Sequence, residues 1–137
     1  MASSLVDSNV IIDILENSAW ADWAERQILS LVEQGKLVIN QIIISETAIY
    51  FSNVAQLDRS LSSLRINRED LPWEAAIKGG LAHSAYRRAG GQRERVLPDF
   101  LIGAHAKLRG YRIITRDANR YRTYFPELDI IAPDTHP

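Results

Sequence analysis

Apolar positions along the chain fall into short solid blocks separated by longer stretches with helical spacing. Leu5-Val6 is an apolar pair that stops at Asp7 and reads as the end of a buried strand. Ser8 or Asn9 can then cap a helix that begins Val10-Ile11-Ile12. Trp20, Trp23, Ala24, Ile28 and Leu31 recur at helical spacing, which predicts an amphipathic helix over 19–34, ended by Gly35. Leu37-Val38-Ile39 is a second strand, and helices are predicted over 43–53 and 55–64. Leu64-Arg65-Ile66-Asn67 reads as a short strand. Pro72 suits the first turn of a helix running to about Ala89. The run from Gly90 to Arg95 is a loop, paired glycines followed by charge. Pro98 opens a helix from Asp99 to about Arg109, stopped by Gly110. Strands follow at Tyr111–Ile114 and Leu128–Ile131. Short apolar strands alternating with helices predict an α/β fold, a parallel sheet covered on both faces.

A length of 137 residues predicts one domain over 1–137. With 46% hydrophobic and 24% charged residues the chain has the material for a core. The absence of cysteine excludes a disulfide scaffold, a thiolate metal site and a cysteine nucleophile, and suits the cytoplasm, the expected location. The longest unbroken apolar run, Ala48 to Phe51, is far too short to cross a membrane, and the N-terminus lacks the layout of a signal peptide. Net charge is −1, but it is unevenly spread. Residues 1–77 carry five Lys/Arg against eleven Asp/Glu, whereas residues 78–125 carry eleven against three. Such a basic block suits either a polyanionic partner or a set of solvated helix faces.

Four carboxylates are placed unlike the rest. Asp7 and Asp117 follow predicted strands, Glu46 lies early in the helix after Leu37-Val38-Ile39, and Asp99 opens a helix. In an open parallel sheet, strand C-termini and the following helix N-termini share the edge at which ligands bind. Taken singly, each has an ordinary use as a cap or as compensation for a helix dipole. Gathered on one edge they would have to take up protons or recruit cations, and all-oxygen ligands select Mg2+ or Mn2+. Such ions activate water and neutralise a phosphodiester. Other chemistries fit less well. There is no GxxxxGK[ST] loop, His83, His105 and His136 have no metal-site spacing, and Asp7-Ser8-Asn9 lacks the second Asp of a DxD phosphatase. Arg87, Arg88, Arg93 and Arg95 flank the Gly90-Gly91 loop leading to Asp99, while Arg116 and Arg120 bracket Asp117. These six are candidate phosphate ligands. Trp20 and Trp23 are either core residues or interface anchors.

Four segments together resemble the PIN-domain family, and in order, spacing and length the VapC toxins of bacterial type II toxin–antitoxin pairs. They are Leu5-Val6-Asp7-Ser8-Asn9, Ile44-Ser45-Glu46, Leu97-Pro98-Asp99 with its helix to Ala106, and Thr115-Arg116-Asp117-Ala118-Asn119-Arg120-Tyr121 followed by Phe125-Pro126-Glu127-Leu128. The resemblance spans residues 4–133, with no motif in 48–96. Ser8 stands where the family usually has Thr, which keeps the hydroxyl. The resemblance implies a three-layer α/β/α fold around a parallel sheet of about five short strands. It also implies a Mg2+- or Mn2+-dependent endoribonuclease that cuts structured RNA, forms a homodimer and is inhibited by a cognate antitoxin. By the same resemblance the catalytic set Asp7, Glu46, Asp99 and Asp117 holds the metal: Asp7 and Asp99 are the central ligands, and Glu46 and Asp117 complete the cluster, directly or through water. Ser8, Asn9 and Thr115 would support them, and Asp13 and Asp134 receive no role. Two alternatives stay open: a PIN-type nuclease acting on DNA or in RNA processing without an antitoxin, and a catalytically silent PIN-like binding module.

Overall fold

The structure is a computed structural model that describes residues 2–91 and 97–137. In chain order the elements are β1 (Ser4–Val6), α1 (Ser8–Leu15), α2 (Ala21–Val32), β2 (Leu37–Ile39) and α3 (Gln41–Thr47). After a turn of 3-10 helix, Ala48–Tyr50, come α4 (Val54–Ser63), β3 (Ile66–Arg68), α5 (Trp73–Arg88) and α6 (Leu97–Arg109). The chain finishes with β4 (Arg112–Ile114), α7 (Asn119–Arg122) and β5 (Ile130–Ile131).

The five strands form one all-parallel sheet in the order β3-β2-β1-β4-β5. The expected α/β class with a central parallel sheet flanked by helices is therefore correct. From β1 to β3 the chain steps outward in one direction; it then crosses back past β1 and steps outward in the other. Right-handed crossovers put the helices of these two halves on opposite faces. The reversal beside β1 opens a crevice at the C-terminal ends of β1 and β4, where such sheets bind ligands. Strand residues Leu5, Val6, Leu37, Ile39, Ile113 and Ile114 are fully buried and form the centre of the main core. A smaller cluster, Ala75, Phe100, Ala104 and Phe125, seats α6 on α5. Here Gly79 allows close approach, since a Cβ on it would lie 3.0 Å from the Phe100 carbonyl oxygen.

Local polar groups move several element ends from their expected positions. Asp7, not Ser8 or Asn9, caps α1; its backbone is extended and its carboxylate accepts from Ser8 N at 2.8 Å. The helix expected over 43–53 begins earlier and breaks. Asn40 Oδ1 caps α3 by accepting from Ile42 N and Ile43 N, and Phe51 then turns extended so that Asn53 can cap α4. The third strand starts two residues late because Leu64 still closes α4 and Arg65 takes a left-handed φ of 57°. The short helix α7 was not expected from the apolar pattern. The two tryptophans of α2 divide. Trp23 is buried, with its indole N–H donating to the His136 carbonyl at 2.7 Å, whereas Trp20 stays 42% exposed. Among the described residues no helix is long and apolar enough to cross a membrane.

Candidate active site

Asp7 sits at the end of β1 with no exposed surface. Such a carboxylate needs donors, and it has them: Ser8 N at 2.8 Å on Oδ1, and the hydroxyls of Thr115 and Tyr121, each 2.9 Å from Oδ2. Thr115, at the end of β4, is equally buried and uses its hydroxyl completely. It donates to Asp7 and accepts from Asn9 Nδ2 at 3.2 Å and from Asp117 N at 3.1 Å. Asn9 Oδ1 accepts from Arg116 N at 3.1 Å, so this side chain clamps the turn after β4 onto α1. Of the three residues expected to support the site, Ser8 is the third: its hydroxyl donates to Glu46 Oε1 at 3.2 Å, tying α1 to α3.

Burial raises the Glu46 pKa, and the nearby Asp7 charge raises it further, against the lowering effects of Ser8 and Arg120. Asp99 lies in the first turn of α6 and is nearly buried. Asp117 is half exposed at the mouth. Between these groups stands the Arg120 guanidinium. Its Nη1 is 3.8 Å from both Asp7 Oδ2 and Asp99 Oδ1, and its Nε is 3.5 Å from Asp117 Oδ2. Burial disfavours the Arg120 cation, but Asp7, Asp99, Tyr121 and Asp117 together hold its pKa above the ordinary value. Burial, then the Asp7 and Asp99 charges, push the Tyr121 phenol well above its usual range, so it stays a proton donor to Asp7.

The structure therefore brings Asp7, Asp99 and Asp117 around one guanidinium, with Glu46 joined to Asp7 through Ser8. The other candidate arginines differ in placement. Arg116 reaches back through Nε to the buried Asp13 at 2.6 Å. Arg87 and Arg88 are exposed at the C-terminal end of α5, and Arg88 donates to Ser84 at 3.0 Å. Arg93 and Arg95 lie outside the described residues. Tyr121 and Asp13 are participants that sequence reasoning did not assign. Tyr121 carried only the signal of being the first aromatic after Asp117, four residues on.

Among the described residues no three His, Asp or Glu side chains form a ready-made cation cage. The donors are nonetheless of the kind a hard divalent cation takes: the carboxylates of Asp7 and Asp99 converge on one cationic nitrogen, and all contributing atoms are oxygens.

A second, partly buried network braces the two helices that carry Glu46 and Asp99. Because Asn40 Oδ1 is committed to capping α3, its Nδ2 donates to His105 Nδ1 at 2.9 Å. His105 Nε2–H must then donate to Glu69 Oε2, 2.6 Å away, and Glu69 Oε1 accepts from Tyr111 at 2.7 Å. Burial lowers the His105 pKa, outweighing the opposing effect of Glu69.

A parallel sheet whose switch point gathers these carboxylates defines a site class, and the PIN domain family matches residues 4–126: the chain belongs to the PIN-domain family, a family of nucleases. Among solved structures it is similar to VapBC2 from Rickettsia felis bound to a promoter DNA fragment, at TM-score 0.73 and 16% identity, covering 95% of this chain and 98% of that one. It is similar to DNA-bound VapBC from Salmonella typhimurium, at TM-score 0.68 and 20% identity over 96% and 98% of the two chains. It also resembles FitAcB from Neisseria gonorrhoeae, at TM-score 0.67 and 20% identity over 98% and 99%. No curated protein matches the chain by sequence.

Proposed function

We propose that the chain is the toxin of a VapBC-type pair: an endoribonuclease that uses Mg2+ or Mn2+ to cut structured RNA, acts as a homodimer and is silenced by a cognate antitoxin. The observation that carries the reading is the convergence of Asp7 Oδ2 and Asp99 Oδ1 on a single cationic nitrogen. Buried carboxylates held this way favour a positive charge between them, and Asp7 and Asp99 would hold the metal there. A bound divalent cation supplies Lewis acidity, acidifying water and offsetting phosphodiester charge.

The remaining steps belong to the chain's own groups. Thr115, Tyr121 and Ser8 N hold Asp7 in one orientation, so its position costs no reorganisation at the moment of reaction. Glu46, its pKa raised, is suited to take a proton from the attacking water. Asp117 completes the acidic mouth. Arg120, once released from Asp7 and Asp99, is close enough to pair with the scissile phosphate, and Arg87, Arg88, Arg93, Arg95 and Arg116 belong to the basic block that attracts RNA. The antitoxin is supported by the likeness in fold to the two VapBC structures and to a toxin–antitoxin complex from Klebsiella pneumoniae.

The deciding experiment presents matched RNA and DNA hairpins to chelator-stripped protein before and after Mg2+ or Mn2+ is restored. The proposal expects RNA cleavage only with the ion. Cleavage of DNA in preference would favour the alternative PIN nuclease, full cleavage in excess chelator would remove the metal mechanism, and no cleavage of either would favour the silent binding module.

A further inference from the structure

A cleft of about 240 Å3 opens beside the carboxylates, lined by Trp20 at the start of α2, by the turn after β4 and by the segment after β5. We propose that this cleft is a nucleobase subsite, in which the Trp20 indole stacks on an unpaired base of the RNA next to the bond that is cut. The proposal rests on the nuclease reading above and adds to it what the site recognises.

Trp20 is not spent on the core. It is 42% exposed, while Trp23 three residues on is 5% exposed and anchored to His136. The backbone at Trp20 is nevertheless held in a built setting. Ser18 Oγ accepts from Trp20 N at 3.1 Å and donates to Asp13 Oδ1 at 2.9 Å, and Asp13 Oδ2 accepts from Arg116 Nε at 2.6 Å. The backbone that carries Trp20 and the Arg116 guanidinium, both at the cleft, are thus tied together through Ser18 and one buried carboxylate. Arg122, also lining it, is oriented by two bonds to Asp134, at 2.7 and 2.9 Å. Both guanidinium groups are therefore preset and charge-compensated, with further N–H donors for the edge or carbonyl of a base.

Position supplies the link to chemistry. Asp117 lines this cleft and also holds Arg120 Nε, at 3.5 Å, so the cleft and the carboxylate cluster share a wall. A base seated in the cleft belongs to a nucleotide at or next to the reacting phosphate. The lining also decides the class of occupant. Five of its nine residues are charged or polar, and the aromatic surface comes from Trp20 alone. That suits a planar heterocycle with polar edges better than an apolar side chain from a protein. The cleft has room for a single ring system and none for a duplex, so the base must be flipped out or single-stranded, the form in which RNA sequence is usually read.

The test uses full-length protein carrying Trp73→Phe, which removes the emission of the exposed Trp73. A short single-stranded oligoribonucleotide is titrated in EDTA, where RNA stays intact and Arg120 offsets the carboxylates. Base–aromatic stacking predicts that Trp20→Ala weakens binding roughly tenfold and that Trp20→Phe recovers most of it. Binding by the Trp73→Phe protein should quench Trp20 emission, and the salt dependence should be equal in all three proteins, because stacking releases no counterion. Unchanged affinity in Trp20→Ala overturns the subsite and leaves the nuclease reading standing. So does a Trp20→Phe protein no better than Trp20→Ala. Normal RNA binding with lost antitoxin affinity in Trp20→Ala assigns the cleft to the protein partner, again against the subsite. No RNA binding by the parent protein overturns both readings.

Discussion

Nη1 of Arg120 stands 3.8 Å from Oδ1 of Asp99, and the same nitrogen is equally distant from Oδ2 of Asp7. The chain thus supplies its own cation at the point where its buried carboxylates converge. A divalent ion entering there has to displace the guanidinium. Arg120→Met should therefore lower the melting temperature of the metal-free protein and tighten Mg2+ binding roughly tenfold, about 1.4 kcal/mol. Calorimetric titration with Mg2+ measures the second effect directly. An unchanged affinity would mean that arginine and metal do not compete.

Removing single carboxylate charges should separate chemistry from scaffolding. Asp99→Asn is expected to reduce RNA turnover by orders of magnitude with little loss of fold. Asp7→Asn should reduce it as far but also cost stability, roughly 1–3 kcal/mol, because Asp7 accepts three buried hydrogen bonds. Asp13→Asn should do the reverse, lowering the melting temperature through its lost pairing with Arg116 and Ser18. Turnover in Asp13→Asn as low as in Asp99→Asn at a temperature where both are folded would place Asp13 in the chemistry.

Glu46 predicts an acid limb in the pH–rate profile. Burial and then the Asp7 charge raise its pKa above 4.5, so it loses its role as proton acceptor at a higher pH than an ordinary glutamate. Activity should fall as pH drops through that raised value, and Glu46→Gln should be slow with the limb abolished. The sign for stability is opposite: a raised carboxylate favours the folded state below its unfolded pKa, and this is lost as pH rises through the folded pKa. Glu46→Gln should accordingly be at least as stable as the parent at neutral pH, which thermal melts can check.

His105 carries a separate acid sensitivity. Its folded pKa lies below the ordinary 6.5, burial being the main cause. The unfolded chain therefore binds more protons in the window beneath that value, and stability is full above it and falls as pH decreases. Melting temperature measured from about pH 8 down to about pH 5 should decline for the parent. Substituting His105→Gln should lower stability at neutral pH and flatten that part of the profile. A slope that survives the substitution would point to other groups, first of all Glu69, whose lowered pKa acts in the same direction at lower pH.

Arg93 and Arg95 lie six and four residues before Asp99 in sequence. The double change Arg93→Ala with Arg95→Ala should weaken RNA binding and reduce the slope of log affinity against log salt, with Mg2+ binding intact. An unchanged slope would mean that neither side chain meets phosphate. Arg116→Ala should behave differently, since its pairing with Asp13 makes part of its effect a loss of stability.

Much of this molecule was legible in one dimension. Leu5-Val6-Asp7 and Ile113-Ile114 with Thr115 and Asp117 after them mark strands by solid apolar runs, and a parallel sheet gathers the residues just beyond its strands on one edge. Period and punctuation act locally, so they survive in the sequence. The α/β class, the parallel sheet and the expectation that Asp7, Glu46 and Asp117 share one edge, which Asp99 can join, come from them. Which atoms meet was decided by packing between distant segments. Tyr121 reaches Asp7 across 114 positions, and Asn9 meets Thr115 across 106. In sequence Arg120 is one of two arginines bracketing Asp117 and reads as a phosphate ligand, with nothing to mark it as a partner of Asp7 and Asp99. Only the arrangement of β1, α6 and the turn after β4 turns its guanidinium into the centre of three carboxylates. The same packing buried Trp23, left Trp20 facing a polar cleft and gave Asp13 to Arg116. A hydrogen bond or ion pair inside a fold depends on where two backbones come to rest, and no local periodicity encodes that.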